Sequence, residues 1–154
     1  MQPNRQSGSE TWTPVAIWMA LIFIFSTDGF AASHTASFLK PLLSWLIPGI
    51  AAETIQGIHL GLRKLGHWTE YFILANLMAA AWQSHWPTQS GPNRFIGTVI
   101  LATLYAISDE WHQSFVPSRS ASAVDVTIDA LGAICGAIWV CCRDRTRASG
   151  DKAQ

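Results

Sequence analysis

Four long apolar stretches punctuate the chain. The first runs from Trp12 to Phe30, with TPVAIWMALIFIFSTDGF filling positions 13–30. The second covers about Leu65 to Trp86, the third Phe95 to Phe115, and the fourth Ala123 to Cys142. Each reaches the roughly 20 residues that a helix needs to cross a bilayer. The turns between the last three, PTQSGPNR and VPSRSAS, are rich in Pro, Gly and Ser. Residues 38–65 follow a different pattern. Phe38, Leu39, Leu42, Leu43, Leu46 and Ile47 recur at helical spacing, as do Ile55, Ile58, Leu62 and Leu65, with Pro41, Pro48 and Gly49 interrupting. This predicts two short amphipathic helices lying at the membrane interface or capping the bundle. The fold expected is all-α, an integral membrane four-helix bundle with short interfacial helices between spans one and two. Residues 12–142 form the membrane domain, and residues 1–11 and 143–154 are polar tails.

Composition supports a membrane protein. Only 13% of the 154 residues are charged and 49% are hydrophobic, too few charges to cover the surface of a soluble domain. Eight tryptophans are present, and Trp68, Trp82 and Trp86 fall near the ends of span two, as an aromatic belt would place them. The net charge of zero gives no support for nucleic-acid binding. Cys135, Cys141 and Cys142 lack the spacing of a disulfide framework or zinc site and read as apolar filler. A cleaved signal peptide is the rival reading of span one. Its single basic residue, Arg5, and its long apolar run argue against that.

Four spans place both termini on one side. Arg5, Arg94, Arg143, Arg145, Arg147 and Lys152 lie there, against Lys40, Arg63, Lys64 and Arg119 on the other. The arginine cluster after span four puts both termini in the cytoplasm by the positive-inside rule.

That topology gathers ionisable residues at the outer face. Lys64, His67, Glu70 and Tyr71 share one face at the start of span two. Asp109, Glu110, His112 and Gln113 end span three; Arg119, Asp125 and Asp129 open span four. Asp125 and Asp129 share a stripe with Gly132 and Gly136, a small-residue pair that lets another helix come close, so these carboxylates face protein. Asp129 lies about 10 Å below the helix start, where an unpartnered charge is costly.

Plainer readings exist for each residue. Ser122 and Asp125 resemble a capping box. Glu110 suits a solvated interfacial charge, His67 and His112 suit interfacial histidines, and Arg119 suits a snorkelling side chain. His34, His59 and His85 receive no role. Three collective roles stay open. Arg119 could bridge Asp109 and Asp125; Lys64, His67 and Arg119 could line a headgroup pocket; or the cluster could be a catalytic or metal site. The pairs His67/Glu70 and Asp109/His112 could in principle hold a divalent ion. They match no recognised ligand signature, and no metal or cofactor is expected.

The polar residues occur in an order that resembles a known family. KLGHWTEYFILA at 64–75, followed by SDEWHQSFVPSRSASAVDVTIDALGAICG, is similar to the VanZ-like family of small bacterial membrane proteins. Lys64, His67, Glu70 and Tyr71 match its first block, and Asp109, Glu110, Gln113, Pro117, Arg119, Asp125, Gly132 and Gly136 its second. Ser26-Thr27 echoes a serine pair, and Asp129 stands where the family usually has Asn. The resemblance spans roughly residues 60 to 140. It implies a four-span protein of the bacterial cytoplasmic membrane whose namesake confers teicoplanin resistance. The function expected is binding of a lipid headgroup, glycolipid or amphiphilic antibiotic at the outward cluster, with membrane lipids as partners and no nucleic acid. An intramembrane enzyme for a lipid-linked substrate, with Glu70 or Asp109 as base and His67 or His112 as its partner, is the alternative, and a structural or partner-binding subunit is the third.

Overall fold

The computed structural model describes residues 8–27, 32–117 and 121–151. Among them the regular structure is helical: α1 (Gly8–Phe25), α2 (Ala32–Leu46), α3 (Ala52–His85), α4 (Gly91–Gln113) and α5 (Ala123–Asp151). By length and composition, one described helix is apolar enough to cross a membrane, over Ala123–Thr146 of α5. α1 adds a shorter apolar stretch, Thr11–Phe25.

Three expectations need revision. The second predicted amphipathic helix does not stand alone; it is the first part of α3, a single helix of 34 residues. At about 1.5 Å per residue α3 is about 50 Å long, longer than a bilayer core. Gly57, Gly61 and Gly66 lie inside it, each lowering helix propensity without breaking the hydrogen-bond ladder. Pro41 also fails to end a helix, since α2 runs through it on an exposed face. There the lost i→i−4 bond is one donor only. The break between α2 and α3 falls instead at Gly49, whose φ of 84° suits glycine. Finally, α1 starts at Gly8 and α5 continues to Asp151, so helix reaches into both stretches expected as loose tails.

Side-chain contacts fix how the helices run. α5 lies parallel to α3: Asp125 meets Arg63 and Lys64, and Asp129 meets His67. Further along, Gly132 lies under the carbonyl of Trp68 and Gly136 under that of Phe72. A Cβ at Gly136 would sit 2.5 Å from the Phe72 oxygen, and one at Gly132 would be closer still to that of Trp68. The glycine pair is therefore what permits this helix contact. α1 runs antiparallel to α3, with Trp18 Nε1 donating to the Glu70 carbonyl at 2.9 Å and Trp12 packed on Trp82 and Trp86. α1 and α4 are parallel, since Tyr105 Oη donates to Met19 O at 2.6 Å and Ser26 reaches Asp109.

The core between these helices includes Ile22, Tyr71, Leu74, Ala75, Ala102, Ala106 and Ala133, all fully buried. Its many alanines let the helix axes come close. The outside is apolar. Ile96, Ile100, Leu104, Ile107 and Trp111 form a stripe along α4 in which each is half exposed or more. The bundle has two distinct ends. One carries the Trp12–Trp82–Trp86 cluster and an Arg94–Asp144 ion pair at 2.6 Å. The other carries most of the remaining buried ionisable groups.

Candidate functional site: a buried acidic cluster

Four helices supply the cluster: the C-terminal ends of α1 and α4, the start of α5, and the part of α3 around residue 67. Ser26, His67, Asp109, Glu110, Gln113, Asp125 and Asp129 are all buried. Three linked subsites make it up.

The first joins α1 and α4. Ser26 Oγ donates to Asp109 Oδ1 at 2.5 Å, and Gln113 Nε2 donates to Asp109 Oδ2 at 3.0 Å. Asp109 and Gln113 are one turn apart on α4, so the amide folds back along its own helix. Gln113 also reaches Ser26 Oγ at 3.3 Å. Both oxygens of Asp109 are thus occupied.

The second joins α3 and α5 at the mouth. Asp125 accepts from Lys64 Nζ at 3.1 Å and from Arg63 Nη2 at 3.5 Å. The carboxylate is mostly buried, whereas the Lys64 side chain is 44% exposed. Ser122 caps α5, its Oγ accepting from Asp125 N at 3.4 Å. The cap foreseen for this position exists, but the Asp125 carboxylate serves the ion pairs. The bridge expected from Arg119 lies outside the described residues, and Asp125 has two other cations. Arg63, which the sequence marks only as one of the outer-side basic residues, is one of them.

The third is the deepest. His67 Nδ1 lies 3.2 Å from Asp129 Oδ1, with Asp129 fully buried. The His67 tautomer sets which atom donates; with Asp129 ionised, Nδ1 is the donor. Glu110 enters from α4, its Oε2 accepting from Ser122 N at 2.7 Å. Glu110 is therefore buried and hydrogen-bonded rather than a solvated interfacial charge. Ligand atoms of His67, Glu110 and Asp129 lie within 4.8 Å of one another. Glu110 Oε1, Asp129 Oδ2 and the hydroxyl of Tyr71 are buried without a hydrogen-bond partner among the described residues. Native proteins rarely leave such atoms unmatched, because each costs the full desolvation of a polar group.

The remaining predicted residues fall at the edges. Glu70 is half-buried and gives its backbone carbonyl to Trp18. His112 is half-buried with its ring 4.3 Å from that of Phe23. Within α3 the charge of Glu70 bears on His67, while the hydrogen-bonded partners named for His67 and Asp109 are other residues. His67 takes its acid from α5, and Asp109 takes Ser26 and Gln113. His59, given no role from sequence, is buried in α3. An open groove of about 730 Å³ lies at the opposite end, around Arg94, Phe95, Ile138 and Asp144, and includes none of the cluster residues.

The model of the VanZ/LLP1 family matches residues 11–143, most of the chain. The chain belongs to the VanZ/LLP1 family. The match takes in all four helices that build the cluster. VanZ proteins are membrane-associated, in keeping with the apolar α5 of this one. Searches of curated proteins and of solved structures returned no match to this VanZ chain.

Proposed function

We propose that this VanZ-family chain is an integral protein of the bacterial cell envelope that binds the polar head of an amphiphile at its acidic cluster. In this reading α1, α3, α4 and α5 cross the membrane and both termini are cytoplasmic. Average hydropathy understates α3 and α4, because His67, Asp109, Glu110 and Gln113 are buried within the bundle while the stripe from Ile96 to Trp111 faces out. An exposed apolar surface of that extent calls for lipid. The arginines after the fourth span support this orientation, with the cluster at the extracytoplasmic end.

The observation that carries the binding role is the set of unmatched buried atoms. Glu110 Oε1 and Asp129 Oδ2 are acceptors, whereas the Tyr71 hydroxyl and Arg63 Nε can donate. A head bearing several hydroxyls, as in a glycolipid or a glycopeptide antibiotic, offers both partners at once. A phosphate suits the described residues less well: four buried carboxyl groups face Arg63, Lys64 and His67, and both basic chains already hold Asp125. The thermal midpoint of the detergent-purified protein, measured with a panel of glycolipids, zwitterionic lipids and anionic lipids, tests this. Stabilisation by glycolipid that is lost in Glu110→Gln is expected. No shift with any lipid overturns the reading.

The His67–Asp129 pair favours a second reading, an intramembrane enzyme acting on a lipid-linked substrate. A carboxylate that orients an imidazole is a general-base arrangement. Lipid extracts incubated with wild type and with Asp129→Asn should then yield different products; identical profiles exclude it.

A further inference from the structure

We infer that His67, Glu110 and Asp129 form a binding site for a divalent transition-metal ion. The inference draws on the same unmatched oxygens as the headgroup reading, and its readout, metal content, is separate from the lipid-dependent thermal shift that tests that reading. They come from three different helices, α3, α4 and α5, and their ligand atoms already lie within 4.8 Å of one another. Around one ion with ligand bonds of about 2.0–2.2 Å the donor atoms stand about 3–4 Å apart, so small side-chain rotations close the site.

The second observation is the unmatched atoms. Asp129 is fully buried and Glu110 is 4% exposed, yet Asp129 Oδ2 and Glu110 Oε1 have no partner among the described residues. Two carboxylates converging in an apolar bundle repel each other, and the described cations at this end, Arg63 and Lys64, are bound to Asp125. An ion supplies the missing positive charge and uses both idle oxygens. The imidazole binds through whichever ring nitrogen is unprotonated, and the other keeps its proton.

The ligand set selects the metal. One imidazole with two carboxylates suits Zn2+ or Mn2+. Mg2+ prefers oxygens and keeps several waters, and Ca2+ needs six to eight oxygens. Three protein ligands leave at least one coordination position open, and the hydroxyl of Tyr71, buried one turn from His67, is also unmatched.

The test is metal content. The full chain is purified in detergent, equilibrated with Zn2+ or Mn2+, dialysed against metal-free buffer and analysed by mass spectrometry. Wild type should hold about one ion per chain, and His67→Gln, Glu110→Gln and Asp129→Asn each about ten-fold less. Asp144→Asn, at the opposite end of the bundle, should match wild type. Far-UV circular dichroism checks that each variant is folded. Should a variant fail to fold, chelator-stripped wild type decides: Zn2+ or Mn2+ should raise its thermal midpoint and Mg2+ should not. Metal content near zero in wild type, or equal in wild type and the folded trio variants, overturns the proposal. So does a stripped protein that Zn2+ and Mn2+ leave unshifted.

Discussion

Asp129 and His67 lie 62 positions apart in the chain, yet Asp129 Oδ1 is 3.2 Å from His67 Nδ1, with both side chains buried between α3 and α5. Asp129→Ala leaves the imidazole without its partner and should lose about 1–3 kcal/mol of stability. Asp129→Asn keeps an acceptor oxygen in place and removes a buried charge, so it should stay within about 1 kcal/mol of wild type. Thermal or denaturant unfolding in detergent checks both. Equal losses would mean that the charge, not the hydrogen bond, matters at this position.

The glycine seam makes a steric prediction. Gly132→Ala and Gly136→Ala drive a methyl group into the carbonyls of Trp68 and Phe72 and should each lose about 1–3 kcal/mol by overpacking. Gly66 also lies in α3 but has nothing within 4 Å of a Cβ added there. Gly66→Ala should gain about 0.5–1 kcal/mol, because alanine restricts the unfolded chain and favours helix. Unfolding midpoints of the three variants, compared in one detergent, give the opposite signs directly.

These two features show what the sequence makes legible. Asp125, Asp129, Gly132 and Gly136 fall on one stripe of α5 by helical spacing alone, and Asp109 and Gln113, one turn apart, share an inward face of α4 for the same reason. Periodicity tells which face a residue occupies but not which helix that face meets. Hence spacing alone suggests Glu70, on its own helix, for His67 and Arg119, across the nearest turn, for Asp125. The partners found, Asp129 for His67 and Arg63 with Lys64 for Asp125, depend on α5 lying parallel to α3. The continuity of α3 was hidden by its change of character near Leu65, from an amphipathic to an apolar pattern. Ser26 carried only a weak signal, the Ser-Thr pair at the end of span one.

Ser26 nevertheless holds Asp109. Ser26→Ala removes a hydrogen bond of 2.5 Å to a buried carboxyl group and leaves Gln113 as its described partner. A loss of about 1.5–3 kcal/mol is expected, typical of hydrogen bonds to charged groups. Ser26→Thr, which keeps the hydroxyl, should recover part of it. Thermal midpoints of the two variants measure the difference.

The two cations on Asp125 should contribute unequally. Lys64 is 44% exposed, so Lys64→Ala should change stability by less than about 1 kcal/mol. Asp125→Ala strips the partner from Arg63, whose side chain is only 21% exposed, and should lose more, about 3 kcal/mol. The double variant Arg63→Ala, Asp125→Ala should recover part of that loss. A double-mutant cycle in detergent reads the coupling.

The most direct measurement asks on which side of the membrane the cluster opens. In a chain with Cys135, Cys141 and Cys142 changed to Ser, single cysteines are placed at Lys64, at the mouth of the cluster, and at Asp144, at the other end of the bundle. Intact cells are then treated with a membrane-impermeant maleimide. Lys64→Cys should label from outside, and Asp144→Cys only after the cells are permeabilised. Labelling of both from one side, or of Asp144→Cys from outside alone, would contradict a bundle that crosses the membrane with its acidic cluster at the outer face.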